Sequence, residues 1–392
     1  MSKMINKIKD LLKGQLALLL AGRKVNKKIW IFSSTDNKEF NYNSRALFLY
    51  VYHNLPEITP KYVINDEKKR MELINQYGDC FCETKSLHGM IQVCRSGVWF
   101  TSAGMPVYAV GSGKHHTIIN LWHGVPLKKI ALMEANVSKL KRIYFKKIFS
   151  DNYSAIVTTS KTLVPIMAKS FSVSEQCIKI WGQPRNDHLN ELRVKGTRLL
   201  GQPGWMKSIP QSKAILYAPT YREYSDTTWF PFADWNRELF LLFLEENNLV
   251  LYMRTHLQES GNFGQFLGDR IIDLGSEKLE DIAEELPRFD LLITDYSSIY
   301  IDYLLLDRPI IFLPYDEQKY LERRGMNFDY QEVTPGAKPD TMKAFMNAIV
   351  DAFSEDSYQA ERDRVNHMFN QVTVPCAKAI CESILKEDLS SI

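Results

Sequence analysis

The feature that most constrains the fold is a repeated alternation of short apolar runs with longer, helix-length segments. Segments 43–53, 67–77 and 279–286, for example, are predicted helices that separate such runs. The apolar runs of strand length lie at 29–32, 61–64, around 81, and at 97–101, 117–122, 155–158, 214–218, 249–254, 270–273, 291–294 and 309–313. A chain that alternates in this way forms βαβ units, with parallel strands covered by helices. The sequence therefore predicts an α/β fold with mostly parallel sheets.

The length of 392 residues favours two domains over one. The clearest candidate boundary is the stretch 199–210, which contains Gly201, Pro203 and Gly204. We predict an N-terminal segment over 1–28, a doubly wound domain over 29–198, a second one over 199–370, and a C-terminal helix over 371–392. A ligand cleft is expected between the two domains.

Composition excludes several classes of protein. Apolar residues make up 45% and charged residues 24% of the chain, as in soluble globular proteins, and the net charge is only +3. The six cysteines are scattered without a CxxC pair, so reduced thiols are expected and a zinc site is not. No apolar run is long enough to span a bilayer. Neither a GxxxxGK[ST] motif nor a GxGxxG motif after a strand occurs, which excludes a P-loop ATPase.

Two segments are basic and amphipathic. In 1–28, lysines flank the apolar run 16–22, and the dense cations after Gly22 argue against a cleaved signal peptide. Segment 127–150 carries Lys and Arg against the single acid Glu134, interleaved with apolar residues. Two interpretations stay open for each: helices that lie on an anionic membrane surface, or helices packed on the domain with a solvated basic face. Nothing in either segment resembles a nucleic-acid-binding fold.

Polar residues stand directly after several predicted strands, where ligands of open parallel sheets bind. His123 follows 118–121, and the pair Arg254 and His256 follows 251–253. Pro219 and Thr220 follow 216–218. Histidines, arginines and hydroxyl groups at strand ends are typical of a site for a phosphorylated ligand, and a histidine there can serve as a general base. A lone histidine is more often structural, so each position is a candidate.

The stretch 291–302 is the most distinctive of these strand ends. An apolar strand breaks into Thr-Asp-Tyr-Ser-Ser and continues into an apolar helical segment, with Asp302 one turn beyond Ser298. Ser297, Ser298 and the first N–H groups of such a helix would form a cradle for phosphate. An ordinary capped helix start has the same pattern, so both interpretations stand at this point.

Taken together, these motifs resemble those of the CDP-glycerol glycerophosphotransferase family. This family comprises the teichoic-acid primases and polymerases and their capsule-synthesis relatives. The resemblance runs from about residue 43 to about residue 332, with further matching positions at Arg308, Tyr315 and Asp316. The motifs that carry it, in chain order, are WHGVPLKKI at 122–130, GQPRND at 182–187, LYAPTYR at 216–222, RTH at 254–256, and TDYSS at 294–298 with Asp302.

The resemblance implies a GT-B-like fold of two Rossmann-like domains and transfer of glycerol phosphate from CDP-glycerol to a hydroxyl of a lipid-linked saccharide, releasing CMP. By the same resemblance His123 is the base, His256 contacts or protonates the leaving phosphate, Asp302 binds donor hydroxyls, and 127–150 holds membrane-binding helices. The residues implied to line the CDP-glycerol pocket are Trp122, His123, Gly124, Val125, Pro126, Arg185, Pro219, Thr220, Arg254, Thr255, His256, Ser297, Ser298 and Asp302. No cofactor, metal or nucleic acid is implied, and the location is peripheral, on the cytoplasmic face of the membrane.

Some positions depart from the family pattern and leave alternatives open. Gln183 stands where the family has an aromatic residue, Tyr221 where Trp is common, and Thr255 where a larger residue occurs. CDP-ribitol or another CDP-polyol therefore remains a candidate donor. A GT-B glycosyltransferase using a nucleotide sugar and an inactive membrane scaffold are the other two hypotheses. The acceptor, the choice between primase and polymerase, and a homo-oligomeric state stay open.

Overall fold

The chain folds into two units, each built around one parallel sheet. The computed structural model describes residues 2–195, 199, 201, 203–222, 227–254, 263–275 and 277–389. Unit 1 comprises Met1–Asp187 together with Gln371–Ile392, and unit 2 comprises His188–Asn370.

Unit 1 contains a seven-stranded sheet in the order β3-β2-β1-β4-β5-β6-β7, with every neighbouring pair parallel. Its strands are β1 (Asn26–Ser33), β2 (Thr59–Val63), β3 (Phe81–Cys82), β4 (Ser96–Thr101), β5 (Thr117–Asn120), β6 (Ala155–Thr158) and β7 (Ile178–Ile180). The order reverses between β1 and β4, as in Rossmann-like sheets. β7 was not predicted, because Lys179 interrupts its short apolar run at the edge of the sheet.

Helices cover the sheet of unit 1 and bury its two faces in separate clusters. They are α1 (Ser2–Ala21), α2 (Tyr42–Asn54), α3 (Glu67–Tyr77), α4 (Leu87–Cys94), α5 (Lys139–Phe145) and α6 (Val164–Phe171). Alternate side chains of β1 point to opposite faces. Trp30 and Phe32 therefore join one cluster with Phe100, and Ile31 joins the other with Trp99.

Unit 2 contains a five-stranded parallel sheet in the order β10-β9-β8-β11-β12. Its strands are β8 (Lys213–Tyr217), β9 (Leu249–Met253), β10 (Ile271–Asp273), β11 (Leu291–Thr294) and β12 (Ile310–Phe312). This order reverses between β8 and β11, so unit 2 is also Rossmann-like. Ile215, Leu251, Ile293 and Phe345 contribute to its buried core.

The helices of unit 2 follow the predicted alternation with one correction. They are α7 (Asp187–Lys195), α8 (Arg237–Glu246), α9 (Ile299–Tyr303), α10 (Glu317–Arg324), α11 (Tyr330–Val333), α12 (Met342–Ser354) and α13 (Gln359–Phe369). The helix predicted near 279–286 is instead a 3₁₀ helix over Ile282–Arg288 that contains Pro287. Proline lacks the N–H that an α-helical bond needs at that position, which accounts for the difference.

The last helix, α14 (Cys376–Leu389), packs within unit 1. The Asp187 carboxylate accepts hydrogen bonds from the backbone N–H groups of Cys376 and Ala377, at 2.7 and 2.9 Å. Ile380 and Ile384 enter the core of unit 1. The division between units thus falls at 187/188, ahead of the boundary predicted at 198/199, because Asp187 is tied to α14.

The two basic segments form helices that pack on unit 1 and expose apolar side chains. Ala17 and Leu18 bury α1 against α4, whereas Leu12 and Leu19 of α1 are 65% and 71% exposed. In 127–150 the structure shows α5 and a following π-helical turn, Lys146–Ser150, and Leu140 is 78% exposed. Among the residues described, no helix has the length and hydropathy needed to cross a membrane.

Candidate functional site

In unit 1, the polar residues after β4 and β5 surround His123. The Nδ1 of His123 lies 2.7 Å from the backbone carbonyl of Ser102, just after β4. A carbonyl only accepts, so Nδ1 carries the proton and Nε2 keeps a free lone pair. The ring of His123 stacks on Tyr42 with centroids 5.3 Å apart and contacts the Trp122 ring at 4.1 Å. His123 is therefore fixed in the tautomer that a general base requires.

Asn43 holds the segment around His123 in place. Its Nδ2 donates to the carbonyls of Leu121 and Trp122, at 3.2 and 2.9 Å. Its Oδ1 accepts from the backbone N–H of Arg185, at 3.2 Å. One buried amide thus joins the WHGVP turn to the PRND turn, two of the motifs that the sequence singled out.

The backbone beside His123 is strained. Tyr42 has φ +58° and Trp122 has φ +53°, a left-handed region that bulky residues rarely adopt. Gly124, with φ +156°, follows directly, and Val125 and Pro126 turn into the interior. Two strained aromatic residues that both contact one histidine indicate a site whose geometry is maintained against a local cost.

The charge state of His123 follows from its surroundings. Burial, with a smaller contribution from the positive charge of Arg185, lowers the pKa of His123 to about 4, although the hydrogen bond to Ser102 opposes the shift. The guanidinium of Arg185 lies 5.9 Å from the centroid of the Tyr42 ring. His123 is thus neutral at physiological pH and able to accept a proton.

In unit 2, the residues after β8 and β11 meet at the point where the strand order reverses. The Asp295 carboxylate accepts from the backbone N–H of Thr220, at 2.7 Å, and from that of Tyr296, at 2.6 Å. The hydroxyl of Thr220 is buried and has no hydrogen-bond partner among the described residues. An unsatisfied buried hydroxyl at a switch point is available to a ligand. Pro219 lies beside it, half-buried.

Arg222 holds together the loops that follow β8 and β11 at this switch point. Its guanidinium, completely buried, forms two hydrogen bonds with Asp316, at 2.8 and 2.9 Å, and an ion pair with Asp295, at 2.9 Å. It also donates to the carbonyl of Thr220, at 2.6 Å, and lies 4.4 Å from the centroid of the Tyr315 ring. A charge paired so completely is a scaffold for the loops after β8 and β11, and it is held away from solvent.

Ser297 and Ser298 lie half-buried at the start of α9, and Asp302 on α9 is buried, with 2% exposure. The Ser297 hydroxyl accepts weakly from the backbone N–H of Ile299, at 3.4 Å, and Ser298 makes no side-chain cap. The helix continues only as a 3₁₀ turn, Leu304–Leu306. The serine hydroxyls thus remain available to a ligand, but the dipole of so short a helix adds little.

The remaining predicted donor residues fall into two groups. The guanidinium of Arg254 donates to the carbonyls of Leu274, Leu279 and Glu280, and so fastens the segment after β10 to the end of β9. Thr255 and His256 lie outside the described residues. Their roles, like that of Arg254 toward a donor, stay predictions.

Within the described ranges, no group of three or more His, Cys, Asp or Glu side chains is arranged to hold a metal ion. Among the described residues of the predicted site, the hydroxyl groups of Thr220, Ser297 and Ser298 can donate to phosphate oxygens.

Sequence reasoning did not assign site roles to Asn43, Arg222, Asp295 or Asp316. In the sequence, Asn43 looks like part of an ordinary helix start. Its role is visible only in the structure, because its partners are backbone groups of motifs that are distant in sequence. Arg222, Asp295 and Asp316 were recognised only as parts of motifs. A buried ion pair between residues 94 positions apart leaves no local signal in the sequence.

Two Rossmann-like units define a GT-B-like fold, and solved structures share it. The solved structure of the wall teichoic acid polymerase TagF superposes on this chain with a TM-score of 0.75 and 21% sequence identity, and the match covers 100% of this chain and 97% of that one. The S. aureus MnaA–UDP co-structure gives a TM-score of 0.56 at 12% identity, over 94% and 98% of the two chains. At these identities the likeness concerns the fold alone.

The sequence defines the class further. Residues 16–384 match the CDP-Glycerol:Poly(glycerophosphate) glycerophosphotransferase family, and the chain belongs to that family. It is 29% identical to the teichoic acid poly(glycerol phosphate) polymerase of Bacillus subtilis (strain 168), over 91% of this chain and 48% of that protein. It is 28% identical to the teichoic acid glycerol-phosphate transferase of Staphylococcus aureus (strain NCTC 8325 / PS 47), over 97% and 99%. The chain thus spans about half of the first relative and nearly all of the second.

Proposed function

We propose that this chain transfers glycerol phosphate from CDP-glycerol to a hydroxyl group of a lipid-linked saccharide in the synthesis of teichoic acid or a capsule polymer. The acceptor oxygen attacks the phosphorus that bears glycerol, and the bond between the two phosphates breaks. CMP leaves, and the acceptor proton passes to Nε2 of His123. The environment of His123, neutral and fixed in one tautomer, is the observation that carries the proposal.

The residues of unit 2 have donor-binding roles in this proposal. The hydroxyl groups of Thr220, Ser297 and Ser298 donate to the diphosphate of CDP-glycerol. His256 contacts the leaving phosphate, and Asp302 contacts donor hydroxyls. The other members of the proposed pocket are Trp122, Gly124, Val125, Pro126, Arg185, Pro219, Arg254 and Thr255. What supports the unit 2 roles is the unsatisfied Thr220 hydroxyl at the β8–β11 switch point.

The protein is proposed to act as a peripheral membrane enzyme on the cytoplasmic face. Apolar side chains of α1 and α5, such as Leu12 and Leu140, are exposed beside the lysines of the two basic segments. This composition suits insertion into the headgroup region of an anionic membrane. Liposome flotation tests it, with a variant in which Lys139, Lys141, Arg142, Lys146 and Lys147 are neutralised; undiminished binding would contradict the role of α5.

A donor assay tests the reaction itself. Nucleotide release is measured with a lipid-linked disaccharide and each donor in parallel: CMP from CDP-glycerol or CDP-ribitol, and UDP from UDP-sugars. CDP-ribitol is included because the chain is 25% identical to a teichoic acid ribitol-phosphate polymerase of Staphylococcus aureus. We expect CDP-glycerol to give the highest kcat/KM, and the product mass to count the units transferred. Nucleotide release from UDP-sugars alone would favour a glycosyltransferase.

His123→Ala tests the proposed base. We expect CMP release to fall by roughly 10²–10⁴-fold, because proton transfer from the acceptor loses its base. CDP-glycerol should still bind, which isothermal titration calorimetry would measure. His53→Ala, at an exposed position on α2, is the matched control and should keep full activity. Full activity of His123→Ala would remove His123 from the mechanism.

A further inference from the structure

Unit 1 contains a large cavity that the proposed reaction has not used. Its volume is about 690 Å³, and it lies beyond the carboxyl ends of β1, β2 and β3, beside α1 and α5. Asn37 follows β1, Asn65 follows β2 and Thr84 follows β3, and these three residues line it. A cavity of this volume is in the range that holds small-molecule ligands.

The walls of the cavity combine aromatic rings with cations. Tyr108 and Tyr144 form part of the aromatic wall. Lys7, Lys13 and Lys85 line it as well, and the ammonium of Lys7 lies 6.0 Å from the centroid of the Tyr144 ring. Amphipathic rings suit the faces of a sugar, and ammonium groups suit phosphate oxygens. Lys141, Asp10 and Asp36 complete the charged lining, in which four lysines outnumber two carboxylates. The net positive lining therefore suits a ligand that carries both a sugar and phosphate.

A buried acceptor in the cavity lacks a partner. Asn37, 6% exposed, donates through Nδ2 to the carbonyls of Met105 and Pro106, at 3.1 and 3.2 Å, which fixes the orientation of the amide. Its Oδ1 has no hydrogen-bond partner within the described part of the chain. Such an atom costs free energy unless a donor occupies it. A hydroxyl or amide N–H of a bound saccharide would satisfy it.

The cavity and His123 lie along the same edge of one sheet. His123 follows β5, which is two strands from β1 in the order β1-β4-β5. Neighbouring strands are ~4.8 Å apart, so His123 lies roughly 10 Å along the edge from the side of the cavity at β1, and farther from its side at β3. The loop after β4 connects them directly, since Asn37 binds Met105 and Ser102 binds His123. A ligand seated in the cavity could extend a hydroxyl toward the base.

The helices beside the cavity expose apolar side chains. Leu12 and Leu16 of α1 are 65% and 46% exposed, and Leu140 and Ile143 of α5 are 78% and 60% exposed. The same two helices supply Lys7 and Tyr144 to the lining. A hydrocarbon chain attached to a ligand in the cavity would thus meet an apolar surface on leaving it.

From these observations we infer that the cavity is the binding site for the head group of the lipid-linked acceptor: a saccharide joined to a hydrocarbon chain through phosphate. The inference rests on the proposed function. The phosphates contact Lys7, Lys13 and Lys85, the saccharide contacts Tyr144 and Oδ1 of Asn37, and the hydrocarbon chain lies on the exposed apolar residues of α1 and α5. No covalent step occurs in the cavity.

Direct binding tests the inference independently of catalysis. The probe is a farnesyl-diphosphate-linked disaccharide in neutral detergent micelles without CDP-glycerol, with the Kd measured by thermophoresis. Lys85→Glu should raise that Kd roughly tenfold or more, because a charge-assisted bond to phosphate is lost. Lys68→Glu makes the same charge change on α3, outside the cavity lining, and should leave the Kd unchanged. Equal effects of the two substitutions would overturn the inference.

Substitution of Tyr144 separates the sugar contact from general electrostatics. Tyr144→Ala should raise the Kd roughly tenfold, while Tyr144→Phe keeps the ring and should stay near the wild-type value. Competition by inorganic diphosphate should be weak, and phosphatidylglycerol should not displace the probe. If phosphatidylglycerol displaces the probe as effectively as unlabelled probe does, the cavity is a general lipid site and the assignment is overturned. A wild-type chain that binds the probe but releases no CMP would contradict the proposed function and leave this inference standing.

Discussion

At the scale of single residues, the low pKa of His123 predicts the pH dependence of catalysis. Only the neutral ring accepts a proton, so activity is lost as the pH falls through the pKa. With a pKa of about 4 in the free protein, kcat/KM for CMP release should stay level from pH 8 to about pH 5 and fall below that. In the profile of kcat against pH, the fall in activity on the acidic side should lie at higher pH, because the bound diphosphate favours the charged ring and so raises the pKa of His123.

A pH-rate series for both constants checks this prediction. Arg185→Ala removes a neighbouring positive charge that contributes to the shift, so the limb of kcat/KM should move to higher pH in that variant. A limb near the ordinary histidine value of about 6.5 in the wild-type protein would contradict the burial of His123 as the cause.

The buried ion pairs of Arg222 predict a large loss of stability on substitution. Arg222→Met leaves the Asp295 and Asp316 carboxylates without their cation in a dry environment, and we expect a loss of about 3–5 kcal/mol in the free energy of unfolding. Arg364→Met is the control, since the ion pair of Arg364 with Glu361 is half exposed and is worth less than about 1 kcal/mol. Urea unfolding followed by circular dichroism measures both; equal losses would refute the scaffold role of Arg222.

At the residue scale, the sequence singles out candidates where chemistry and position coincide, and their roles stay predictions. His123 was singled out because an imidazole directly follows a strand, and Thr220 because it follows β8. Asn43 and Arg222 were not, because their roles depend on carbonyls and carboxylates that are distant in sequence. A side chain that positions others is visible only after the chain has folded.

At the scale of single elements, α1 has two faces with different predicted sensitivities. A Cβ added at Gly14 would lie 2.2 Å from the backbone oxygen of Tyr108, so Gly14→Ala must displace the helix and should cost about 1–3 kcal/mol of unfolding free energy. Thermal unfolding checks this. An unchanged midpoint would mean that α1 is not packed on this loop.

The opposite face of α1 should affect membrane binding without affecting stability. Leu12→Gln with Leu19→Gln changes only exposed side chains, so unfolding free energy should stay within about 0.5 kcal/mol. Binding to phosphatidylglycerol vesicles should weaken roughly tenfold or more, since apolar area is lost from the contact. Leu239→Gln with Leu242→Gln on α8, also exposed, is the matched control. A similar weakening in the control would exclude a specific role of α1.

Element-scale prediction from the sequence was reliable where periodicity is strong. The strand at 155–158 and the helix at 67–77 have the predicted bounds, because every residue of the strand is buried and Asp66 and Gly78 cap the helix. The short edge strand β7 and the 3₁₀ helix Ile282–Arg288 were missed or misassigned, since a lysine and a proline disrupt the patterns there. For α1, packing on the domain is confirmed for one face of the helix, whereas the membrane interpretation stays a prediction.

At the scale of the whole molecule, unit 1 is closed by the C-terminal helix. Deletion of residues 371–392 removes Ile380 and Ile384 from its core and leaves the Asp187 carboxylate without its two backbone partners. We expect hydrogen exchange to accelerate at least tenfold across β1, β4 and α2 and to stay unchanged in β8 and β11. Mass spectrometry of peptides from both units measures this, and uniform acceleration would contradict the division into units.

The two doubly wound sheets were predictable from the alternation of strands and helices, but this closure was not. The glycines and prolines at 199–210 resemble a linker, and only the hydrogen bonds from α14 to Asp187 show that the first unit ends earlier. Composition marks where a chain is flexible, and contacts between distant segments decide to which unit a residue belongs.

The return of the chain to unit 1 has a consequence for how the protein is made. Residues 188–370 are synthesised before α14, so unit 2 has its complete sequence while unit 1 still lacks this 14-residue helix, which supplies part of its core. Domains generally fold in the order in which they leave the ribosome. Here the order is inverted: the inserted unit can finish folding first, and the N-terminal unit must wait, partly exposed, until α14 has been synthesised.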